Sequence, residues 1–444
     1  YIEASGVASF AHGYAGDNSK GIYATADGAL AGGYTGGVGV VGGAARTDIT
    51  ASGKGSIAWG SRNISSSGYG SAAFGHGGDN YGYGRVTASS HGAFACGVAR
   101  GGYAYGGNYD GNITASAAGS FARGTAEYGS TGILATQSGA SAGGYAGIYS
   151  RVQASGIGAF VHGKAEGSAG NITEMIASGH GAVALGQVGE QSYMTAGTGG
   201  GALATGYVAN GSTLTVSGSG AVGHGFLGGS DTVVVSGHGA HAQGYWNDSF
   251  SSTISGIGAS ARGGGDITVA GPYSSVNGFN CINVAAAVAS NSFGRHTYAW
   301  LPGQLVHAAG AIAGGEGDAQ KSDINVVATT DDAVQTEALI DKEAGSRITI
   351  RVGSVCAFTA VTVGKQDSGA NVLHHRVTGT IKNISGTTTI VGTPVTEIIT
   401  ETDAAWDVAI SADDTNDALA VEVTGDTGQT VNWNCHVELV EVHV

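Results

Sequence analysis

Residues 154–163 read Ala-Ser-Gly-Ile-Gly-Ala-Phe-Val-His-Gly, and residues 177–186 read Ala-Ser-Gly-His-Gly-Ala-Val-Ala-Leu-Gly. The same ten-residue unit, A/V/I-S-G-x-G-A/S-x-A-x-G, recurs along the first two thirds of the chain. Clear copies are 4–13, 51–60, 66–75, 88–97, 216–225, 235–244 and 254–263, and a degraded one ends at Ala285. The closing glycines include Gly144, Gly163, Gly186, Gly206, Gly225, Gly244 and Gly263; neighbours stand closest at Gly60 and Gly75 and widest at Gly33 and Gly60 and again at Gly97 and Gly124. Self-similarity at a period of roughly 20 residues is the signature of stacked repeats.

Within a unit the chain alternates with period two, which is a strand pattern. The sixth and eighth positions are nearly always small, as at Ala58, Ala95, Ala142 and Ala204. The seventh and ninth vary from Phe94 and Phe121 to His12, Trp59 and Arg123. A uniformly small face suits a narrow interior where backbones approach closely, and the varied face meets solvent or a neighbouring subunit. A second short strand ends at each Ser-Gly, as in Thr213–Val216 and Thr232–Val235. Each repeat therefore reads as two strands joined by glycine turns. A single coil cannot bury its own apolar surface, but stacked coils protect each other. Fourteen coils at about 4.8 Å would extend on the order of 65 Å. So thin a stack gains from association about an axis, and a homotrimer is the expected form.

Composition agrees. Glycine makes up 83 of 444 residues, without the every-third-residue period of collagen. The formal net charge is −15. From Lys321 onward 18 acids face 7 bases, whereas the part of the chain before Lys321 holds 15 acids and 11 bases. Such a balance disfavours nucleic acid and anionic lipid as partners. No run of 18 apolar residues is present, so no membrane insertion is expected. The chain starts inside a repeat, at Tyr1-Ile2-Glu3, and reads as a piece of something longer.

After residue 285 the pattern loosens into a connector or cap, 286–320. From Lys321 glycine thins out and β-branched residues alternate. Runs such as Arg347–Val352, Val355–Gly364, Val377–Ile384, Ala418–Val423 and Thr430–Val442 read as short strands separated by polar turns. This predicts a C-terminal antiparallel β-sandwich, jelly-roll-like, over 321–444. The fold class is thus all-β: a trimeric parallel β-roll or solenoid of two-strand repeats over 1–285, then the sandwich.

The repeats resemble the head repeats of YadA-like trimeric autotransporter adhesins, over roughly residues 1–285. That resemblance implies a left-handed parallel β-roll wound as a trimer. Similar repeats occur in phage tail fibres. The terminal segment, with Gly317-Asp318-Ala319-Gln320, Ala404–Val408 and Val431-Asn432-Trp433, resembles a C-terminal domain of phage tail fibre proteins. The resemblances imply a structural and adhesive segment of a virion tail appendage that binds other tail proteins and a host glycan or protein receptor. The alternatives are a bacterial adhesin at the cell surface and a glycan-cleaving tailspike.

Chemistry-bearing patterns are few, and the chain is expected not to be an enzyme, with no catalytic residues, no metal and no cofactor. His91, His180 and His238 share the fourth repeat position, and His12, His162 and His224 the ninth. In a trimer each could form a ring around an ion, but the copies are not adjacent, and exposed repeat positions are the plainer reading. Asp413–Asp417 lacks the glycine and distal glutamate of an EF-hand loop and reads as a solvated turn. Cys96, Cys281, Cys356 and Cys435 show no CxxC spacing, and a Cys356–Cys435 pairing is left open. The candidate receptor contacts are Tyr69, Tyr81, Tyr83, Tyr103, Tyr105 and Tyr109, in or beside the loops between early repeats. Rings on loops can stack on sugars or dock a protein, or simply shield coil edges.

Overall fold

A computed structural model describes residues 1–444 apart from 17–20, 37–47, 79–83, 105–106, 128–131 and 169–170, and gives backbone alone for 102–104 and 107–109. The described chain is all-β, with one 3-10 turn at Ile340–Lys342 and no α-helix among the described residues. No helix there is long and apolar enough to cross a membrane. About 14 turns of parallel β-solenoid are followed by antiparallel sheets. By compactness the chain divides into two units, Tyr1–Ser252 and Thr253–Val444.

In the first unit each turn gives one strand to each of two parallel ladders. One ladder runs through Ile2–Ala4, Ile22–Ala24 and Ile49–Ala51 onward to Thr232–Val235. The other runs through Phe10–Ala15, Leu30–Thr35 and Ile57–Ser61 onward to His241–Trp246. Register is kept from turn to turn, so like positions form columns. In the first ladder Ile113, Ile133, Val152, Met175, Met194 and Leu214 stand in one buried column. Facing it across the interior is the small column of the second ladder, which includes Ala122, Ala142, Ala184 and Ala204. One large and one small wall together fill a narrow interior. Each buried aliphatic side chain contributes about 1.5–3 kcal/mol by leaving water. The last strand position grows along the stack, from Ala126, Ala146 and Ala165 to Val188, Leu227 and finally Trp246. Trp246 is fully buried, and its indole N–H donates to Ser252 Oγ at 3.0 Å.

The closing glycine is required by two facts at once. Gly33 has φ +135°, a region that side chains avoid, and a Cβ there would lie 1.7 Å from the carbonyl oxygen of Gly60 in the next turn. Every turn repeats this approach, so the residue cannot vary, whereas its neighbours can.

In the second unit parallel pairing continues past the expected limit of the roll. Ser275–Asn283 pairs with Asn291–Arg295, and that strand with Leu305–Ala308, inside the segment read as a connector. These turns lack the Ser-Gly-x-Gly signature, and Gly294 alone keeps the closing position. The strand Ala319–Thr330 then lies antiparallel on Leu305–Ala308 and uses the exposed edge. It also pairs with Val431–His443, which pairs with Ser354–Gln366, followed by Val372–Ile384 and Thr387–Glu401. A second antiparallel sheet holds Thr336–Ala338, Ile348–Thr349, Asp407–Asp413 and Ala418–Thr424. One core joins the two sheets, built on Phe358, Trp406, Val421, Trp433 and Leu439. The strand expected at Arg347–Val352 shrinks to two residues, and Thr387–Glu401 runs for 15 residues. It does so by passing Gly392 and Pro394 in a bulge at the sheet edge, where a missing N–H leaves no ladder bond unmade.

Candidate functional site: a carboxylate-free face on the solenoid

Alternation turns the first, third and fifth residues of each second-ladder strand outward. Across the strands from Phe10–Ala15 to His241–Trp246 none of these outward positions is aspartate or glutamate. The chain as a whole has 33 acids and 18 bases, so this absence is local and marked. The face instead carries Arg123, Lys164 and the imidazoles of His12, His76, His162, His224 and His241 among aromatic rings. The acids lie elsewhere. Glu3 and Glu174 face out from the other ladder, and Asp231 is buried at a turn. There the Asp231 carboxylate accepts backbone N–H bonds from Gly228, Gly229, Asp248 and Phe250, at 2.8 to 3.3 Å, and staples two loops.

Because the register is strict, rings at one position meet their counterparts one turn away. Tyr207, Phe226 and Tyr245 stack in series, with centroids 5.0 and 4.8 Å apart and planes within 10°. Tyr14 and Tyr34 stack at 5.4 Å, and Phe94 and Phe121 at 5.1 Å. Arg123 lies over Phe121 and Lys164 over Tyr145, at 5.9 and 5.7 Å from the ring centres. Trp59, 42% exposed, leans onto Gly32, where any side chain would collide with it. Rings stacked this way cover each other's faces. What they offer a partner is their electropositive edges and the tyrosine hydroxyls. The face is aromatic and basic, with Glu166 just past the strand end paired to Lys164 at 2.6 Å, which suits packing against protein or contact with anionic groups more than flat stacking on sugar rings.

Of the candidate tyrosines, only Tyr69 is described in full. It is exposed at a turn tip and stacks on His91 of the next turn at 5.1 Å. Tyr103 and Tyr109 lie in a small antiparallel hairpin, Gly102–Ala104 with Gly107–Tyr109. Tyr81, Tyr83 and Tyr105 lie outside the described residues. The aromatic face was missed because it needs the register. Its one visible signal was the even spacing of Tyr207, Phe226 and Tyr245, one ring to each repeat.

The histidines stand in the expected columns. His224 Nδ1 meets Thr205 Oγ1 at 2.6 Å, and His12 and His162 stack near Phe10 and Phe160. Among the described residues no group of three metal-type side chains could hold an ion. In the Asp413–Asp417 turn, Asp413 accepts bonds from Thr415 and Asn416, and Asp414 and Asp417 from Thr388. All four cysteines are free. Cys356 lies opposite Glu441 and Cys435 opposite Thr362, so the pairing left open between them is ruled out by register. Burial pushes the Cys356 thiol up to about 12 and the Cys435 thiol up to about 11.

No family model and no curated protein matches the chain. Among solved structures it is similar to the tailspike protein gp49 from Acinetobacter baumannii bacteriophage Fri1, a capsular polysaccharide depolymerase. Identity is 9%, 95% of this chain and 70% of that chain are covered, and the TM-score is 0.26. The expectation that this chain is not an enzyme is corrected here: the chain it is similar to belongs to an enzyme, and absence of catalysis drops out of the reading. At that identity and score the likeness assigns neither an activity nor a residue role to this chain.

Proposed function

We propose that the chain is a segment of a phage tail appendage, a fibre in which three copies associate and present a surface to the host cell. In this reading residues 1–285 and the parallel turns that follow them to Leu305–Ala308 form the shaft, 321–444 forms a terminal sandwich, and the whole resides in the virion with other tail proteins. The observation that carries the reading is the continuous carboxylate-free aromatic face of the first unit. An exposed face so rich in aromatic rings marks a contact with another macromolecule. Its depletion in charge and enrichment in rings is the composition of an interface centre. Multivalent attachment then follows from having three copies of any host-binding surface on one assembly.

The test has three parts. Light scattering on the purified chain gives three copies if the association is right and one copy if it is wrong. Labelled protein binds host cells, and antibody against it decorates virion tails. Incubation with purified host polysaccharide, followed by viscosity, separates a fibre from a glycan-cleaving tailspike.

A further inference from the structure

The two sheets of the terminal region differ in the charge of their outer faces. Residues paired across a ladder share a face, so the register settles which side chains point away from the core. On the five-strand sheet the outward bases are Lys321, Lys365, Arg376 and Lys382, and the outward acids are Asp323, Glu397 and Glu438. All three acids are held in pairs: Lys321 with Glu438 and Asp323, His436 with Asp323, and Arg376 with Glu397. Lys365 and Lys382 have no carboxylate partner among the described residues. The rest of this face mixes aliphatic positions with Thr, Asn and His side chains such as Thr359, Asn434 and His374. Val355 pairs with Val442, Val440 with Ala357, and Thr380 with Val391, and the four valines are exposed, as is Val395.

The other sheet is acidic outside. Glu337 lies opposite Glu422, and Asp407 and Asp413 face the same way, against the single base Arg347. Arg347 is engaged by Glu337 and Asp413, which leaves Glu422 and Asp407 without a cation among the described residues.

We propose that these two faces bind each other between copies: the cationic face of one terminal region seats on the acidic face of the next. This rests on the association of copies proposed above and names its surface. Three observations carry it. The five-strand face, five strands at about 4.8 Å and thirteen residues at about 3.3 Å, spans roughly 1,000 Å², enough to seat the whole of the acidic sheet with its shorter strands. The charges left over after these internal pairs are complementary between the two faces: Lys365 and Lys382 on one, Glu422 and Asp407 on the other. Packing two copies by the same face would bring Lys365 and Lys382 against their own like, so a face-to-face pair is disfavoured and a head-to-tail ring is favoured. The bulge at Gly392–Pro394 blunts the sheet edge, so neighbours meet through side chains rather than by adding strands.

Zero-length carbodiimide cross-linking tests this on the full chain. The two outer faces lie on opposite sides of the shared core, so an amide joining Lys382 or Lys365 to Glu422 or Asp407 can form only between copies. The expected result is those linked peptides in the covalent dimer and trimer bands, lost in the K365E/K382E variant and regained when E422K is added to it. Assembled protein that yields no such links overturns the head-to-tail contact while the association stands. A wild-type chain that is monomeric by light scattering at the same concentration overturns the association itself.

Discussion

Arg351 and Glu441, ninety positions apart, form an ion pair in which Nη2 lies 3.0 Å and Nε 3.1 Å from the same carboxylate oxygen. The guanidinium also lies over the rings of Tyr298 and Trp300, 5.0 and 4.9 Å from their centres. Glu441 has a side chain 1% exposed and accepts further bonds from Gln320 and Ser354. The pair ties the last solenoid turns of the second unit to its antiparallel sheets.

Replacing Arg351 by Met leaves a buried carboxylate without its cation. Removal of one partner of such a pair typically costs about 3–5 kcal/mol. Chemical unfolding followed by tryptophan fluorescence should show the second unit losing stability on that scale, with Arg351→Lys losing less because charge persists without the planar fork.

Two glycines of one repeat should respond differently to alanine. Gly60 has φ +152° and a Cβ would meet the Gly75 carbonyl oxygen at 1.9 Å, whereas Gly55 has φ +66° with nothing within 4 Å. Gly55→Ala should lower stability by about 1–2 kcal/mol, from backbone strain alone. Gly60→Ala adds a clash between two turns and should exceed about 3 kcal/mol. Equal midpoints in urea would contradict the closing-column account.

Phe226 is the middle ring of three. Phe226→Ala breaks both stacks at once, each worth about 0.5–1.5 kcal/mol beyond burial, whereas Tyr245→Ala breaks the stack with Phe226 and leaves Tyr207 on Phe226. A double-mutant cycle with Tyr207 should return a coupling of that size, and the Phe226 variant should weaken association more than a substitution at Tyr69.

Native thiol reactivity should be confined. Cys356 and Cys435 are buried and pushed up to about 12 and about 11, and Cys281 is buried. At pH 8 a thiol reagent should titrate Cys96 alone in the native chain and all four cysteines after denaturation.

Acid should weaken the second unit in two steps. Burial and the nearby Arg351 hold His443 below its ordinary value, and Glu441 only partly offsets them. The unfolded chain therefore takes up that proton first, and stability falls as pH drops below about 6.5. Asp318 is opposed by burial, yet the N–H groups of Ala313, Ile312 and Gly315 hold its carboxyl below the usual range. Its contribution is present above the ordinary carboxylate value and is lost as pH falls through the lowered one. Thermal scans from pH 7 to 3 should show both steps, and His443→Gln should remove the upper one.

The repeat was legible in the sequence because its two constraints are local: a small side chain at Ala142 or Ala204, and a glycine at Gly144 or Gly206 that the next turn's backbone touches. The terminal strands were legible from alternation, except where Gly392 and Pro394 look like a break and are a bulge. The parallel turns through Asn291–Arg295 and Leu305–Ala308 were hidden by the loss of the Ser-Gly signal, since pairing there needs only backbone. The carboxylate-free face and the two outer sheet faces could not be read. Each depends on the parity of many strands at once, and a shift of one residue in any of them would send its charges to the other side.

The fixed register has a consequence for how such a chain changes over generations. Each turn in the first unit offers its successor the same row of amides, carbonyls and small residues, so neighbouring turns are interchangeable parts. Recombination that removes the segment from Tyr207 to Gly225 would restore every column one rung shorter. The reach of the protein is therefore adjustable in increments of about 4.8 Å. Because the aromatic edges come with the rungs, each such step also trims or extends the surface it carries.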